Sequence, residues 1–239
     1  MKVAPEKDPI GQALIEYLKT NKESTIHVDT NLTEDESIPT SYFFRSYDEM
    51  PKSEQVALDL SKGKILDLGA GSGVHSLHLQ QNGLDVHPID ISELSVDVMK
   101  QKGLNNVRLK DYRAISNEKY DTILLLMNGI GMVQKIKNIP QFLQQVKGLL
   151  NNGGQVLLDS TDILYMFEDE EDGSYLIDLN GGYYGEMIYF VSYKDIKGEP
   201  FDWFYIDYGL LSDYAKAEGF NCEMIVSEDE GHYLAKLTI

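Results

Sequence analysis

The stretch of the chain best suited to chemistry is Asp67-Leu68-Gly69-Ala70-Gly71-Ser72-Gly73. Its glycines let a backbone turn sharply and let a ligand come close to it. With a strand leading in and a helix leading out, the helix's free N–H groups and positive dipole end face whatever lies in front. A carboxylate or phosphate is the expected occupant there, while Asp67, just before the first glycine, suits a cationic group. Asp90 follows about 20 residues after Gly69, with Ile91 beside it, and a carboxylate so placed can accept hydrogen bonds from both hydroxyls of a ribose. Asp111 and Tyr112 come next, where an adenine amino group could be met.

The elements needed to position these residues are legible around them. Lys64 to Leu68 reads as a short buried strand, followed by a helix to about Asn82 with Gly83 as a left-handed cap. Val86 to Ile91 is a second strand, and Ser92 caps a helix that ends near Gly103. Val107–Leu109, Asp121–Met127 and Gln155–Leu158 are further strands, with a helix from Ile139 to Leu150 before the last. Continuous apolar strands alternating with helices predict a doubly wound α/β fold with a mostly parallel sheet covered on both faces. The glycine turn then lies at the carboxyl end of the first strand, where open α/β sheets bind ligands.

Outside this rhythm, Pro9 to Thr20 has helical spacing, Asn21 to Pro39 reads as a loop or lid, and Ser53 is a candidate cap for a short helix. Residues 160–206 hold an acidic run, Glu168–Asp172, read as a solvated loop. Gly185–Tyr193 and Pro200–Ile206 follow as a small antiparallel β insertion. The aromatics of 183–208 suit core, dimer contact or the wall of a substrate pocket. A helix near Leu210–Glu218 and a strand hairpin, Cys222–Val226 with Tyr233–Ile239, end the chain. His232 and Tyr233 start the last strand, where packing is the favoured role and the same pocket the other. The expected division is a helical lid segment at 1–62, a ligand-binding core at 63–159, an insertion at 160–206 serving as lid or dimer contact, and a helix and hairpin at 207–239 completing the sheet.

The formal net charge is −18, from 39 acids and 21 bases. A nucleic-acid binder needs a Lys/Arg surface for phosphate contacts, so such a partner is disfavoured. The single cysteine, Cys222, excludes an intrachain disulfide framework and a cysteine-rich metal site. His75 and His78 stand one helical turn apart without an obvious third ligand, so no metal is expected. No apolar run is long enough to span a bilayer. A cytoplasmic monomer or homodimer is the expectation.

Asp67 to Gly73, Asp90, Asp111 and the Asp121–Val133 segment, in that order, resemble the successive motifs of class I S-adenosylmethionine-dependent methyltransferases. Phe43-Phe44-Arg45-Ser46-Tyr47, Met127-Asn128-Gly129-Ile130-Gly131 and Phe201-Asp202-Trp203 are similar to a bacterial subgroup of undefined substrate. The resemblance implies a Rossmann-like methyltransferase fold, a seven-stranded sheet whose last strand is inserted antiparallel as part of a C-terminal hairpin. It implies S-adenosylmethionine as cofactor, bound by Asp67, Gly69, Ala70, Gly71, Gly73, Asp90, Ile91, Asp111, Tyr112 and Asn128. The methionine part would lie at the glycine turn, the ribose at Asp90 and the adenine at Asp111 and Tyr112. The glycines after Asn128 read as letting the chain pass close to the cofactor, in place of the Asp/Asn-Pro-Pro-aromatic motif of relatives that methylate exocyclic amines.

A sulfonium is already activated, so alignment and exclusion of water matter more than a proton acceptor. A base is needed only if the nucleophile arrives protonated. His75, Asn128, Asp159 and Asp162 are the candidates for a catalytic role, the last two because they follow the fifth strand on the ligand edge. The packing of a structural histidine is the other reading of His75. An acidic protein suits a neutral or cationic small-molecule acceptor. Three competing readings stay open: a methyltransferase of RNA or protein, of which the charge balance disfavours RNA, a non-catalytic S-adenosylmethionine-binding module, and a nicotinamide-dependent oxidoreductase. Against the last, the Gly-x-Gly-x-x-Gly fingerprint begun at Gly69 would require glycine where this chain has Val74.

Overall fold

The computed structural model describes residues 2–168, 174–177 and 181–239, so most of the acidic run lies outside the described residues. The chain begins with α1 (Pro9–Thr20), β1 (Thr25–Thr30), β2 (Glu36–Pro39) and α2 (Lys52–Leu60). The alternating part holds β3 (Lys64–Leu68), α3 (Val74–Gln81), β4 (Asp85–Asp90), α4 (Glu93–Gln101), β5 (Arg108–Leu109), β6 (Tyr120–Leu125), α5 (Ile139–Leu149) and β7 (Leu150–Thr161). Then come β8 (Glu186–Tyr193), β9 (Ile196–Lys197), β10 (Phe201–Phe204), α6 (Tyr208–Ala217), β11 (Asn221–Ser227) and β12 (His232–Thr238).

A seven-stranded sheet runs in the order β11-β12-β7-β6-β3-β4-β5. Its neighbours from β7 to β5 are parallel, and β12 lies antiparallel between β7 and β11. The expected α/β architecture with its antiparallel hairpin is thus the one found. Successive side chains of the central strands serve opposite faces. Leu66, Ile123, Leu125, Val156 and Leu158 pack with Phe142, Leu143 and Val146 of α5. Ile65, Leu124 and Leu157 pack on the other face with Ala57 and Leu58 of α2 and Leu79 of α3. Both faces are dry, which is why these strands show no polar alternation. Strand β7 extends past Gln155–Leu158 in both directions, because β12 pairs with it as far as Thr161 and Tyr120 of β6 pairs with Leu150.

A second, antiparallel sheet runs β10-β8-β1-β2, with β9 beside β8. It corrects the reading of residues 21–39 as a loop: β1 and β2 pair with each other, and β1 pairs with the inserted β8. Ile26 and Val28 of β1 point inward with Val191, Tyr193 and Ala13 of α1. The next residues of α1, Leu14 and Ile15, pack on Val98 of α4, so this helix joins the small sheet to the large one. Its N-terminus is fixed by Asp8, which accepts from the Gly11 N–H at 2.8 Å and from the Ser92 hydroxyl. Ser92 caps α4 as expected, accepting from the Ser95 N–H at 2.9 Å. Ser53 does not cap α2; Pro51 holds that position, and Ser53 lies buried in the first turn.

The sheets also meet at Gly131. A Cβ there would lie 2.0 Å from Cε2 of Trp203, so the glycine makes room for β10 against the segment after β6. The contact with Trp203 gives this glycine a packing role that the sequence reading did not include. No helix among the described residues is long and apolar enough to cross a membrane.

Candidate active site

The glycine turn is tied to the neighbouring strand by main-chain bonds, since the N–H groups of Gly69 and Ala70 both donate to the Ile89 carbonyl at 3.0 Å. Asp90 completes the tie: its Oδ2 accepts from the Gly71 N–H and its Oδ1 from the Ser92 N–H, each at 2.8 Å. Burial pushes the Asp90 pKa up, against the opposing pull of these amides. Gly71 and Gly73 adopt φ of +55° and +75°. A Cβ on Gly73 would lie 2.4 Å from Leu104 Cδ1, whereas one on Gly71 would meet nothing within 4 Å. The back of the turn is therefore packed and its front is open. No side chain caps the start of α3, which leaves its N–H dipoles to that open side.

Asp67 is buried and accepts from the Ser76 hydroxyl at 2.6 Å, with its pKa raised by burial. Ile91 exposes an apolar face beside Asp90, with 38% of its surface accessible. Tyr112 packs edge-on against Phe142, ring centroids 5.7 Å apart. Arg113 grips both oxygens of Asp111 at 3.0 and 2.8 Å. Burial alone would raise the Asp111 pKa, but hydrogen bonds and the guanidinium charge outweigh it and hold the carboxyl well below its ordinary range. Open space before a dipole end, an anchored carboxylate and an exposed apolar edge fit a donor that combines a carboxylate, a ribose diol and an adenine.

The strand-end acids differ in kind. Asp159 accepts from the N–H groups of Met127 and Asn128 at 2.9 and 2.6 Å, clamping the end of β6 to β7. Both amide donors stand on left-handed residues, φ 61° and 53°. Burial and the nearby Glu54 carboxylate push the Asp159 pKa up to about 7. Asp162 caps a short turn, accepting from the Leu164 N–H at 3.0 Å and the Tyr184 hydroxyl at 2.7 Å. His75 is engaged by buried Glu54, with Nε2 2.6 Å from Oε2. Glu54 also pairs with Arg45, whose guanidinium lies 4.0 Å from the Tyr42 ring centroid. Burial opposes ionisation of Glu54, and these two partners together more than offset it, so its pKa falls below the usual value. The aromatic segment is fastened to the glycine turn by the Ser72 hydroxyl, which donates to the Phe43 carbonyl. His78 is separate from His75 in function, stacking on Tyr47 at 4.5 Å. Among the described residues no cluster of three metal-ligating side chains occurs.

Between the ends of β6 and β7 and the small sheet lies a cavity of about 270 Å³. Asn128 and Thr161 border it from the large sheet, and Tyr189 and Tyr205, with hydroxyls 2.5 Å apart, from the small one. Thr161 Oγ1 is 3.1 Å from both Asn128 Oδ1 and His232 Nδ1. The other ring nitrogen of His232 is 3.1 Å from Ser53 Oγ, and burial holds the imidazole pKa below its usual value. Tyr233 turns away, buried, and donates to the Ile206 carbonyl at 2.7 Å.

Of the sequence candidates, Gly69 to Gly73, Asp90 and Ile91 gather at the adjoining carboxyl ends of β3 and β4, with Asp111 and Tyr112 past the end of neighbouring β5. Asn128 alone among the catalytic candidates reaches the cavity. His75, Asp159 and Asp162 are held by internal partners. Glu54, Thr161, Tyr189 and Tyr205 escaped the sequence reading. The tyrosines stood in an aromatic segment with an open role, whereas nothing around Glu54 marks it as buried.

Residues 44–221 match the family model described as a methyltransferase domain. A crystal structure of a SAM-dependent methyltransferase from Bacteroides fragilis, in complex with S-adenosyl-L-homocysteine, is 43% identical. The match covers 100% of this chain and 98% of that one, with a TM-score of 0.92. A ubiquinone biosynthesis O-methyltransferase of Dechloromonas aromatica (strain RCB) is 30% identical over 112 residues, 44% of this chain and 47% of that protein. A cypemycin N-terminal methyltransferase of a Streptomyces species is 28% identical over 106 residues, 41% of this chain and 42% of that protein. The chain spans about half the length of the curated relatives it matches.

Proposed function

Because the chain belongs to the methyltransferase-domain family, with S-adenosylmethionine as its methyl donor, we propose that it methylates a small molecule held in the cavity beside Asn128 and Thr161. In this reading the turn of Gly69, Ala70, Gly71 and Gly73 lets the donor's methionine part come close, the uncapped N-terminus of α3 receives its carboxylate, and Asp67 lies toward its ammonium. Asp90 takes the ribose hydroxyls, and Ile91, Asp111 and Tyr112 border the adenine. When bound, the donor supplies a methyl group already activated on a sulfonium sulfur. The work left to the protein is alignment and exclusion of water. Residues 63–159 serve as the donor-binding core, 1–62 and 160–206 cover it and shape the acceptor site, and 207–239 complete the sheet.

The observation that carries this reading is Asn128. Its N–H is clamped to Asp159 on the ligand edge of the large sheet, and the residue also borders the cavity. Asn128 therefore stands between donor cleft and acceptor space, with Asp159 positioning it rather than reacting. The Bacteroides fragilis protein with bound S-adenosyl-L-homocysteine supports the donor half. The relatives named for N-terminal and O-methyl transfer leave nitrogen and oxygen acceptors both in view. Titration calorimetry with S-adenosylmethionine and S-adenosylhomocysteine, with NAD and NADP as controls, tests the proposal. Binding of the first pair with a Kd in the micromolar range or tighter, about −8 kcal/mol, is expected. Heat from the nicotinamide pair alone would reassign the glycine turn to a different cofactor.

A further inference from the structure

We propose that the acceptor is a small amine that enters the cavity as its ammonium ion, an inference that rests on reading this cavity as the acceptor site. Three carboxylates, Glu36, Asp229 and Glu230, border the cavity, and no lysine or arginine does among the described residues. None of the three has a side-chain hydrogen bond or ion pair within the described chain, so their charge is turned to solvent and to whatever enters. Their field reaches the cavity walls. The Tyr165 phenol is held above its ordinary pKa by burial and then by Glu230 and Glu36. Tyr205 is raised by burial and Tyr189, with Glu36 adding to them. These phenols stay un-ionised and offer a cation their ring faces and oxygen lone pairs.

The same wall turns away other acceptor classes. A carboxylate or phosphate would bring negative charge to three carboxylates with no cation to meet it. A neutral alcohol would enter but gain nothing from the acids. An ammonium is drawn in by the rim and by the protein's net charge of −18.

An ammonium has no lone pair, so it must lose a proton before it can attack. The path available runs from the amine to the Thr161 hydroxyl and, once that hydroxyl turns from Asn128 Oδ1 to His232 Nδ1, on to the imidazole, whose Nε2 faces Asp159 at 3.7 Å and Glu228 at 3.6 Å. The freed nitrogen lone pair forms the new N–C bond as the donor's S–C bond breaks and its electron pair returns to sulfur. The products are an N-methylammonium and a neutral thioether, and the proton on His232 passes to water.

The test is calorimetry on the full chain saturated with S-adenosylhomocysteine, using benzylamine, benzyl alcohol and benzoate as probes of equal shape and different charge. Mass spectrometry of the same three compounds incubated with S-adenosylmethionine accompanies it. We expect benzylamine to bind about tenfold tighter than benzyl alcohol, benzoate to give no heat, and N-methylbenzylamine to form. In a Glu36→Gln/Glu230→Gln variant the preference for amine over alcohol should fall to about twofold, with S-adenosylhomocysteine affinity unchanged. Benzoate or benzyl alcohol binding as well as the amine, methyl transfer only to oxygen, an unaltered preference in the variant, or no probe binding at all would each overturn the amine assignment. Those outcomes leave the methyltransferase reading standing, whereas failure of S-adenosylhomocysteine itself to bind would remove both.

Discussion

The proposed donor cleft and the proposed acceptor cavity are built by different means. The cleft is a main-chain object: Gly69, Ala70, Gly71 and Ser92 present or fix amides, and Asp90 locks the turn with both oxygens. These parts lie in one stretch of sequence, from Gly69 at the end of β3 to Ser92 after β4. The cavity is a side-chain object, bordered by Glu36, Tyr189, Tyr205 and His232 from segments far apart in the chain. A site made of backbone tolerates change of side chains so long as the turn survives. A site made of side chains can be re-specified by a few substitutions without disturbing the fold.

The sharpest way to break the contrast is at α2, which touches both sites through adjacent residues: Glu54 holds His75 and Arg45, and Ser53 meets His232. Glu54→Ala strands a buried guanidinium and should cost about 3–5 kcal/mol in urea denaturation. A loss below about 1 kcal/mol would mean the buried Arg45–Glu54–His75 cluster contributes no more than an exposed ion pair. Next is Gly73→Ala, where strained φ adds to overlap with Leu104 and Met99. It should cost about 2–4 kcal/mol of stability. Gly71→Ala, which meets no atom, should cost only the backbone part, about 1–2 kcal/mol, and show itself as weaker S-adenosylhomocysteine binding. Asp90→Ala should weaken that binding by about 1.5–3 kcal/mol in calorimetry, since charge-assisted bonds to the ribose are lost; an unchanged Kd in a folded variant would remove Asp90 from the cleft.

A pH series separates the clamp from the sites it joins. The folded pKa of Asp159, about 7, lies above its ordinary 3.8, so the folded chain binds this proton more tightly than the unfolded chain. Its stabilising contribution is full below about pH 4 and is lost as pH rises through about 7. Asp159→Asn lacks that slope. Urea midpoints from pH 4 to 8 should therefore show wild type losing ground to the variant as pH rises, and parallel curves would return Asp159 to an ordinary pKa. The smallest effect is expected at Tyr189→Phe, which removes the phenol contact with Tyr205 at about 0.5–1.5 kcal/mol of stability. Donor affinity should not move, and a change in it would show that the small sheet reaches into the cleft.

The same contrast governs what the sequence could tell. Strands β3, β6 and β7 were legible because both their faces are dry and their apolar runs are unbroken. The glycine turn and Asp90 were legible because the backbone demands glycine there and the acid follows at a fixed spacing. Strand β1 was not: Ile26 and Val28 are its only aliphatic residues, and its partner β8 is remote. Ser53 looked like a cap because its type favours caps, but Pro51 takes that place and Ser53 is spent on His232. Asp159 was placed on the ligand edge by its position after an apolar run. No local pattern could reveal that both its oxygens are taken by the amides of Met127 and Asn128, since that depends on how two strands end side by side. Gly131 gave no hint of Trp203, because close approach between remote segments leaves only a missing side chain as its trace.

The pairing of β1 with β8 has a consequence for how the molecule is made. The Ser24 hydroxyl and the Tyr193 phenol are 3.0 Å apart in space and 169 residues apart in sequence. During synthesis β1 emerges early and waits, its edges unpaired, while the residues of the donor cleft leave the ribosome and begin to assemble among near neighbours. Only when β8 arrives can the small sheet zip, a late closure with high contact order that should be slower than assembly of the parallel sheet.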